Sequence, residues 1–318
     1  MIVPYSPQAL KFAIELLEKG DVVAFPTETV YGLGADASRE EAVQKIFEVK
    51  GRPSFNPLIV HVLDMAWAQQ IGKIPEQAYS LLERYWPGPL TILVPLLSDA
   101  KIAPSVTAGL KTVGIRIPKH PLFRELLEAY GKPIAAPSAN ASNTLSCTMA
   151  EHVKESLGDK VSLILQDSSP CVHGLESTIV DFSSKTPSIL RHGAITQEEI
   201  QKYTGILAEF SPAGKITYPG QLKRHYAPRI SLRLNALEGK SGEAFLNFGS
   251  SHPTESLNLS PTKNLEEAGA HLFQMLHALD KPEKFSAIAV AAIPQRGLGI
   301  AINDRLQRAS VSMKEDRP

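Results

Sequence analysis

The stretch VVAFPTETVYGLGADASREEAVQKIFEVKGRP at residues 22–53 decides the fold. Residues 22–25 read as a short buried strand, closed by Pro26. Ser38 is placed at a helix start with Glu41 three residues on, the spacing of a capping box. Ala42, Val43, Ile46 and Phe47 then recur at helical intervals until Lys50-Gly51 stops the segment. Strand, polar loop and helix in this order make one unit of an α/β domain. The loop between them, Thr27 to Asp36, carries Gly32, Gly34 and several hydroxyls, and is read as a ligand-facing turn. Two cations, Lys50 and Arg52, follow just beyond the helix C-terminus.

The same alternation extends outward. Ser6-Pro7 supplies an N-cap and first-turn proline for a helix to Lys19, stopped by Gly20. Strands are predicted at 58–62, 90–94, 113–117, 134–136, 162–165, 177–182 and 188–190, with helical segments in much of the space between. Thr148 with Glu151 is read as another capping box, and Thr196-Gln197-Glu198-Glu199 opens a further helix. From about residue 208 the character changes. Ser211-Pro212-Ala213-Gly214, Tyr218-Pro219-Gly220 and His225-Tyr226-Ala227-Pro228 form a Pro- and Gly-rich crossing segment. A second α/β pattern follows, with strands near 231–234, 244–248 and 285–291 and a helix over 265–279. The expected organisation is a domain at 1–207, a linker or lid at 208–229 and a smaller α/β domain at 230–318.

Composition bounds the function. The 318 residues carry 33 Lys and Arg against 33 Asp and Glu, so the surface is not built as a whole to grip nucleic acid. No apolar run reaches the roughly 18–20 residues that span a bilayer. The N-terminus shows no basic region leading into an apolar one, so a secretory signal is not expected. Cys147 and Cys171 form no CxxC pair and read as free thiols of a reducing compartment. A soluble, cytoplasmic protein is expected.

Candidate chemistry lies in separated pieces. Lys50 and Arg52 flank Gly51 and precede Pro53, so one tight loop can present a compact ammonium and a planar guanidinium to a polyphosphate. A basic helix end facing its own dipole is the alternative. Ala136-Pro137-Ser138-Ala139-Asn140 follows a strand, and Ser138 and Asn140 can donate or accept hydrogen bonds; an ordinary turn is the alternative. Gly32-Leu33-Gly34 is a fragment of a dinucleotide fingerprint, but Ser38 begins the helix too late. GxxxxGK[ST] is absent, so a nucleotide would be held without a P-loop. Arg116 lies within an apolar strand and needs a partner, either a substrate carboxylate or a structural salt bridge. His61 ends another strand, as a site residue or a core histidine. Neither HExxH, a spaced Cys/His zinc set nor a GxSxG elbow occurs.

Together these blocks resemble the Sua5/YrdC/YwlC family of threonylcarbamoyl-AMP synthases. The resemblance rests on PTETVYGLGADA at 26–37, KGRPSFNPL at 50–58, WPGPLT at 86–91, VGIRIP at 113–118, APSAN at 136–140, GLESTIVD at 174–181 and ILRHGAI at 189–195. HYAP at 225–228 and GLGIAINDRLQRAS at 297–310 are similar to the additional domain of the Sua5 type. The fold implied is a YrdC-like twisted α/β sheet domain followed by a smaller Rossmann-like α/β domain. The activity implied joins L-threonine, bicarbonate or CO2 and ATP into threonylcarbamoyl-adenylate, releasing pyrophosphate, for N6-threonylcarbamoyladenosine in tRNA.

The resemblance also implies roles. Lys50, Arg52, Ser138 and Asn140 would form the catalytic KxR…SxN set. Asn56, Thr112, Ser146 and Arg191 would join Arg52 and Ser138 around ATP, with His225 and Tyr226 closing over it from the linker. Thr29, Tyr31, His61, Arg116, Ala136 and Ser177 would line the threonine pocket. Mg2+ would arrive with ATP, held by phosphate oxygens and water rather than by a protein metal site. Downstream partners would be the transferase machinery acting on tRNA. An RNA-binding module and a carbamoyl transferase of the hydrogenase-maturation kind are the alternatives. The chain carries no RRM, KH or dsRBD signature for the first, and lacks the accessory acylphosphatase and zinc-finger regions of the second.

Overall fold

The computed structural model describes residues 1–168, 171–205, 217–250 and 256–311. The first domain runs β1 (Ile2–Pro4), α1 (Pro7–Glu18), β2 (Val23–Phe25), β3 (Gly32–Asp36), α2 (Glu40–Lys50), β4 (Ile59–His61), α3 (Met65–Gln69), α4 (Tyr79–Tyr85) and β5 (Leu90–Pro95). It continues through β6 (Thr112–Arg116), α5 (Pro121–Tyr130), β7 (Ile134–Ala135), α6 (Ala150–Leu157), β8 (Leu163–Gln166), β9 (Thr178–Asp181), β10 (Ser188–Arg191) and α7 (Gln197–Thr204). These strands form one mixed sheet in the order β1-β8-β2-β3-β7-β4-β6-β5-β9-β10. Both faces are covered, as the strand alternation requires. Val23 and Phe25 pack with Leu17, Phe123 and Leu126 of α1 and α5, whereas Ala24 and Val60 join Ile46, Leu81 and Val153 of α2, α4 and α6.

The helix ends divide between those read correctly and those that are not. Ser6 accepts from the Ala9 amide, and Thr196 with Glu199 forms a reciprocal capping box. The box placed at Ser38 and Glu41 does not form. Ser38 instead turns back onto Asp36 Oδ1, at 2.9 Å from its amide and 2.6 Å from its hydroxyl, while Glu41 is bonded by Arg39. Buried Asp36 thus captures the hydroxyl that would have capped the helix. Thr148 likewise does not cap α6, whose N-cap is Met149 without a side-chain bond.

The largest correction concerns Gly32 and Gly34, which are strand residues rather than turn residues. β3 pairs antiparallel with β2, setting Gly34 opposite Val23 and Gly32 opposite Phe25. A Cβ at Gly34 would stand 2.5 Å from Phe25 Cε1 and 2.7 Å from Ile134 Cγ2. The glycines make room for the Phe25 ring, which stacks on Phe123 at a centroid distance of 4.0 Å.

The second domain contains β11 (Ser231–Arg233), β12 (Glu243–Asn247), β13 (Ser256–Asn258), α8 (Leu265–Leu279), β14 (Ala287–Val290) and α9 (Leu298–Ser310). Its strands are all parallel, in the order β11-β14-β12-β13. Its core, with Leu246, Leu272, Phe273 and Ile302, extends to Leu175 of the first domain and Tyr226 of the crossing segment. The boundary expected at 207–208 and the run Ser211-Pro212-Ala213-Gly214 lie outside the described residues. Among the described residues no helix is long and apolar enough to cross a membrane.

Candidate active site

The sheet brings the separated motifs to one end of its central strands. In the β4–β6 pair His61 is in register with Arg116, so both reach the same strand ends. Beyond β7, the segment 136–140 runs beside the start of β3: Leu33 N donates to Pro137 O at 3.0 Å, and Ala139 N to Tyr31 O at 2.8 Å. That pairing sets Ser138 opposite Gly32. A cleft of about 560 Å³, counting the space open to solvent, lies where these segments meet the crossing segment.

Of the threonine-pocket candidates, Thr29, Tyr31, His61, Arg116, Ala136 and Ser177 all line this cleft. Of the nucleotide candidates, Arg52, Ser138, Arg191, His225 and Tyr226 line it as well. Lys50, Asn56, Thr112, Asn140 and Ser146 do not. Lys50 Nζ donates to Ser138 O at 2.6 Å and to Asn140 O, so the ammonium clamps one motif loop to the other. Asn56 Oδ1 accepts from Arg52 Nη2 at 2.6 Å, while Asn140 Nδ2 spans Ala141 O and Thr144 O within its own loop. Ser146 donates to Glu176 Oε1 at 2.5 Å. Thr112 opens onto a smaller neighbouring cavity, beside Thr217, Tyr218 and Pro219.

The arginines differ in how their charge is met. Arg116 Nη2 donates to Glu28 Oε1 at 2.7 Å and Thr29 Oγ1 at 3.0 Å, and Nε to Gly88 O at 3.2 Å. The salt-bridge alternative for Arg116 therefore exists, yet Arg116 also lines the cleft. Burial pushes the Glu28 carboxyl up, but Arg116 outweighs it and holds the group below its usual range. Arg52 spends its bonds on Asn56 O, Asn56 Oδ1 and Pro57 O. Arg191 bonds Ser177 O, Ser177 Oγ and Pro219 O. Neither these two nor Lys50 forms an ion pair with a carboxylate among the described residues. Burial, then the neighbouring Arg52 charge, pushes Lys50 down to about 7. Burial, then Arg116, pushes His61 down to about 3, which keeps that imidazole neutral.

Three participants escaped the sequence reading. Glu28 lay inside a quoted motif with no role assigned. Glu176 lines the cleft, and its carboxylate accepts from Ser146 and, at 2.8 Å, from Arg305 Nε on α9. Arg305 sat in a motif of the second domain, with nothing to show that it reaches the first. Burial pushes Glu176 up, but Arg305 and Arg191 leave it below the usual carboxylate range. Among the described residues no group of three or more His, Cys, Asp or Glu is arranged to hold a metal ion.

Comparison with known proteins agrees with this architecture. Residues 15–193 match the Sua5_yciO_yrdC family model, described as "Telomere recombination", and residues 195–311 match "Threonylcarbamoyl-AMP synthase, C-terminal domain". The threonylcarbamoyl-AMP synthase of Bacillus subtilis is 39% identical, the match covering 94% of this chain and 92% of that one. The synthase of Pyrococcus abyssi is 37% identical, covering 95% of this chain and 94% of its own. The crystal structure of P. abyssi Sua5 complexed with L-threonine superposes with a TM-score of 0.88 at 34% identity, over 98% of this chain and 97% of that chain. The chain thus belongs to the Sua5 type of the Sua5/YrdC/YwlC family, with both of its domains.

Proposed function

We propose that this chain is an enzyme that makes L-threonylcarbamoyl-adenylate from L-threonine, bicarbonate or CO2 and ATP, releasing pyrophosphate. The observation that carries the reading is three buried basic side chains, Lys50, Arg52 and Arg191, hydrogen-bonded only to neutral oxygens, with the nearby Glu176 offsetting only the charge of Arg191. Buried cations without counterions cost several kcal/mol each. A polyphosphate arriving beside them offsets that cost, so the free site is built for an anion. Arg52, Arg191 and Ser138, with His225 and Tyr226 from the crossing segment, surround the triphosphate. Lys50 and Asn140 hold the loop that presents Ser138, and Asn56 and Ser146 brace Arg52 and Glu176; Thr112, in the adjoining cavity, serves the nucleoside end.

Threonine occupies the other end. With Nη2 held by Glu28 and Thr29 and Nε by the Gly88 carbonyl, Arg116 offers its remaining Nη1 to the carboxylate, with Ala136 and Ser177 beside it. Neutral His61 adds no charge to repel the substrate amine, and Tyr31 closes the pocket. The neutral amine nitrogen bonds to the carbon of CO2 and gives up a proton to solvent, leaving the carbamate; from bicarbonate, that proton instead leaves with the displaced hydroxide as water. A carbamate oxygen then bonds to the α-phosphorus as the Pα–O–Pβ bond breaks, and pyrophosphate departs with the electron pair toward the cations. Alignment and charge neutralisation supply the catalysis, and no covalent protein nucleophile is needed. Glu28 and Glu176 are both committed to arginines, so Mg2+ would arrive with ATP as part of the substrate and would supply further charge neutralisation.

The carbamate and the mixed anhydride both hydrolyse, which favours a site covered by the crossing segment. The product is passed in the cytoplasm to a transferase acting on tRNA adenosine. The test is pyrophosphate release from ATP with and without threonine and bicarbonate. Release that requires both is expected; release indifferent to threonine overturns the reading.

A further inference from the structure

The geometry points to Arg305 as the positioning residue through which the second domain holds the lid over the reacting atoms; this rests on the synthase reading above. Arg305 is 1% exposed and sits on α9, outside the domain that carries the cleft. Its Nε donates to Glu176 Oε2 at 2.8 Å, fixing a cleft wall whose other oxygen is fixed by Ser146. Its guanidinium carbon lies 5.0 Å from the ring centroid of Tyr226, the lid aromatic that lines the cleft. One charged group therefore touches both the wall and the cover of the site.

The same helix grips the lid a second time. Asp304 accepts from Arg305 Nη1 at 2.8 Å and from Arg308 Nε at 2.9 Å. Arg308 Nη1 in turn donates to the carbonyls of Gln221 and Leu222, at 3.2 and 2.8 Å. Tyr226 needs such anchoring, because its backbone is left-handed, with φ at 59°, a conformation unfavourable for an aromatic residue. Its ring is wedged among Arg305, His225 at 3.9 Å and Phe273 at 5.7 Å. Arg305 Nη2 is buried with no partner among the described residues, so the fork is not saturated by its structural contacts.

The test uses the full-length enzyme and reads threonylcarbamoyl-adenylate formed per pyrophosphate released, beside the melting temperature. Arg305→Ala leaves Glu176 as an unpaired buried carboxylate and risks misfolding. The double variant Arg305→Met with Glu176→Gln removes both charges, and Arg308→Ala removes only the half-buried grip. If Arg305 positions the lid, the double variant melts near wild type while its product-to-pyrophosphate ratio falls by about tenfold, since an open site admits water to the intermediate. Arg308→Ala shifts the ratio in the same direction by a smaller factor. A wild-type ratio in both variants overturns the proposal. Loss of threonine dependence in the wild-type enzyme would instead sink the synthase reading itself, so the two failures are distinct.

Discussion

Arg116 Nη2 lies 2.7 Å from Glu28 Oε1, an ion pair joining residues 88 positions apart and almost wholly buried on both sides. The pair fixes the plane of the guanidinium, with Thr29 and the Gly88 carbonyl as further anchors. A lysine has three donors in all, so it cannot satisfy three anchors and still donate to a carboxylate. Arg116→Lys is expected to raise the KM for threonine by about tenfold to a hundredfold, in line with a lost charge-assisted hydrogen bond of about 1.5–3 kcal/mol. The KM for ATP should stay within about threefold, because this loss is confined to one substrate's binding. Steady-state pyrophosphate release with each substrate varied in turn separates the two. An equal loss for both would remove Arg116 from the threonine end.

Gly34 carries a prediction about the frame rather than the chemistry. An alanine there would drive its Cβ into the Phe25 ring and Ile134. Gly34→Ala should therefore lower stability by about 1–3 kcal/mol through overpacking. Adding Phe25→Leu, which empties the space, should recover part of the loss. Denaturant unfolding of the single and double variants checks this. Independent, additive losses would mean that the glycine is needed for its backbone alone.

The same glycines mark the limit of what the chain discloses before folding. Period-2 and helical spacing located β2, β4 to β6 and α8 to within a residue or two, because those segments bury side chains in regular order. β3 reads Gly-Leu-Gly-Ala-Asp, with too few side chains to alternate, and its identity as a strand depends on a ring held by β2. The Ser38 and Thr148 caps failed for a related reason: a local pattern was outcompeted by Asp36 in one case and not engaged in the other. The cleft residues were legible because compact motifs carry them. Glu28 and Glu176 were not, since each owes its role to an arginine, 88 and 129 positions away respectively.

The two domains meet through His152 of α6 and His277 of α8, whose rings stack at 3.9 Å with 14° between their planes. Burial, then the charges of His277 and Lys281, pushes His152 down to about 3. Burial also lowers His277, against the opposing pull of the Ser146 carbonyl, Glu155 and Asp280. Burial disfavours the protonated form of both in the fold, whereas unfolded they take up protons below about 6.5. The unfolded state then binds more protons, so stability falls as pH drops from about 6.5 toward the lowered folded values. His277→Phe keeps the stack and removes one such group. Its melting temperature should decline less steeply between about pH 6.5 and 5, above the range where Glu28 and Glu176 titrate. An unchanged slope would show that this pair does not contribute to acid sensitivity.

Lys50 gives the sharpest test of the anion site. Burial and Arg52 hold its pKa at about 7, well under the ordinary lysine value of 10.5. Between those values the unfolded chain binds the extra proton, so this group makes the free protein more stable as pH rises from about 7 toward 10.5. Phosphate charge placed against Arg52 favours the protonated form of Lys50 as well. At about pH 8, where free Lys50 is mostly neutral, ATP binding should therefore draw a proton from the buffer. Calorimetry in buffers of different ionisation enthalpy reads this directly as a buffer-dependent binding enthalpy corresponding to a sizeable fraction of one proton. The uptake should shrink at about pH 6, where Lys50 is already charged, and at pH 8 should fall sharply in Lys50→Met. Binding enthalpy independent of buffer at pH 8 in the wild-type protein would mean that Lys50 does not sense the phosphates, leaving it only the clamp between the Ser138 and Asn140 carbonyls.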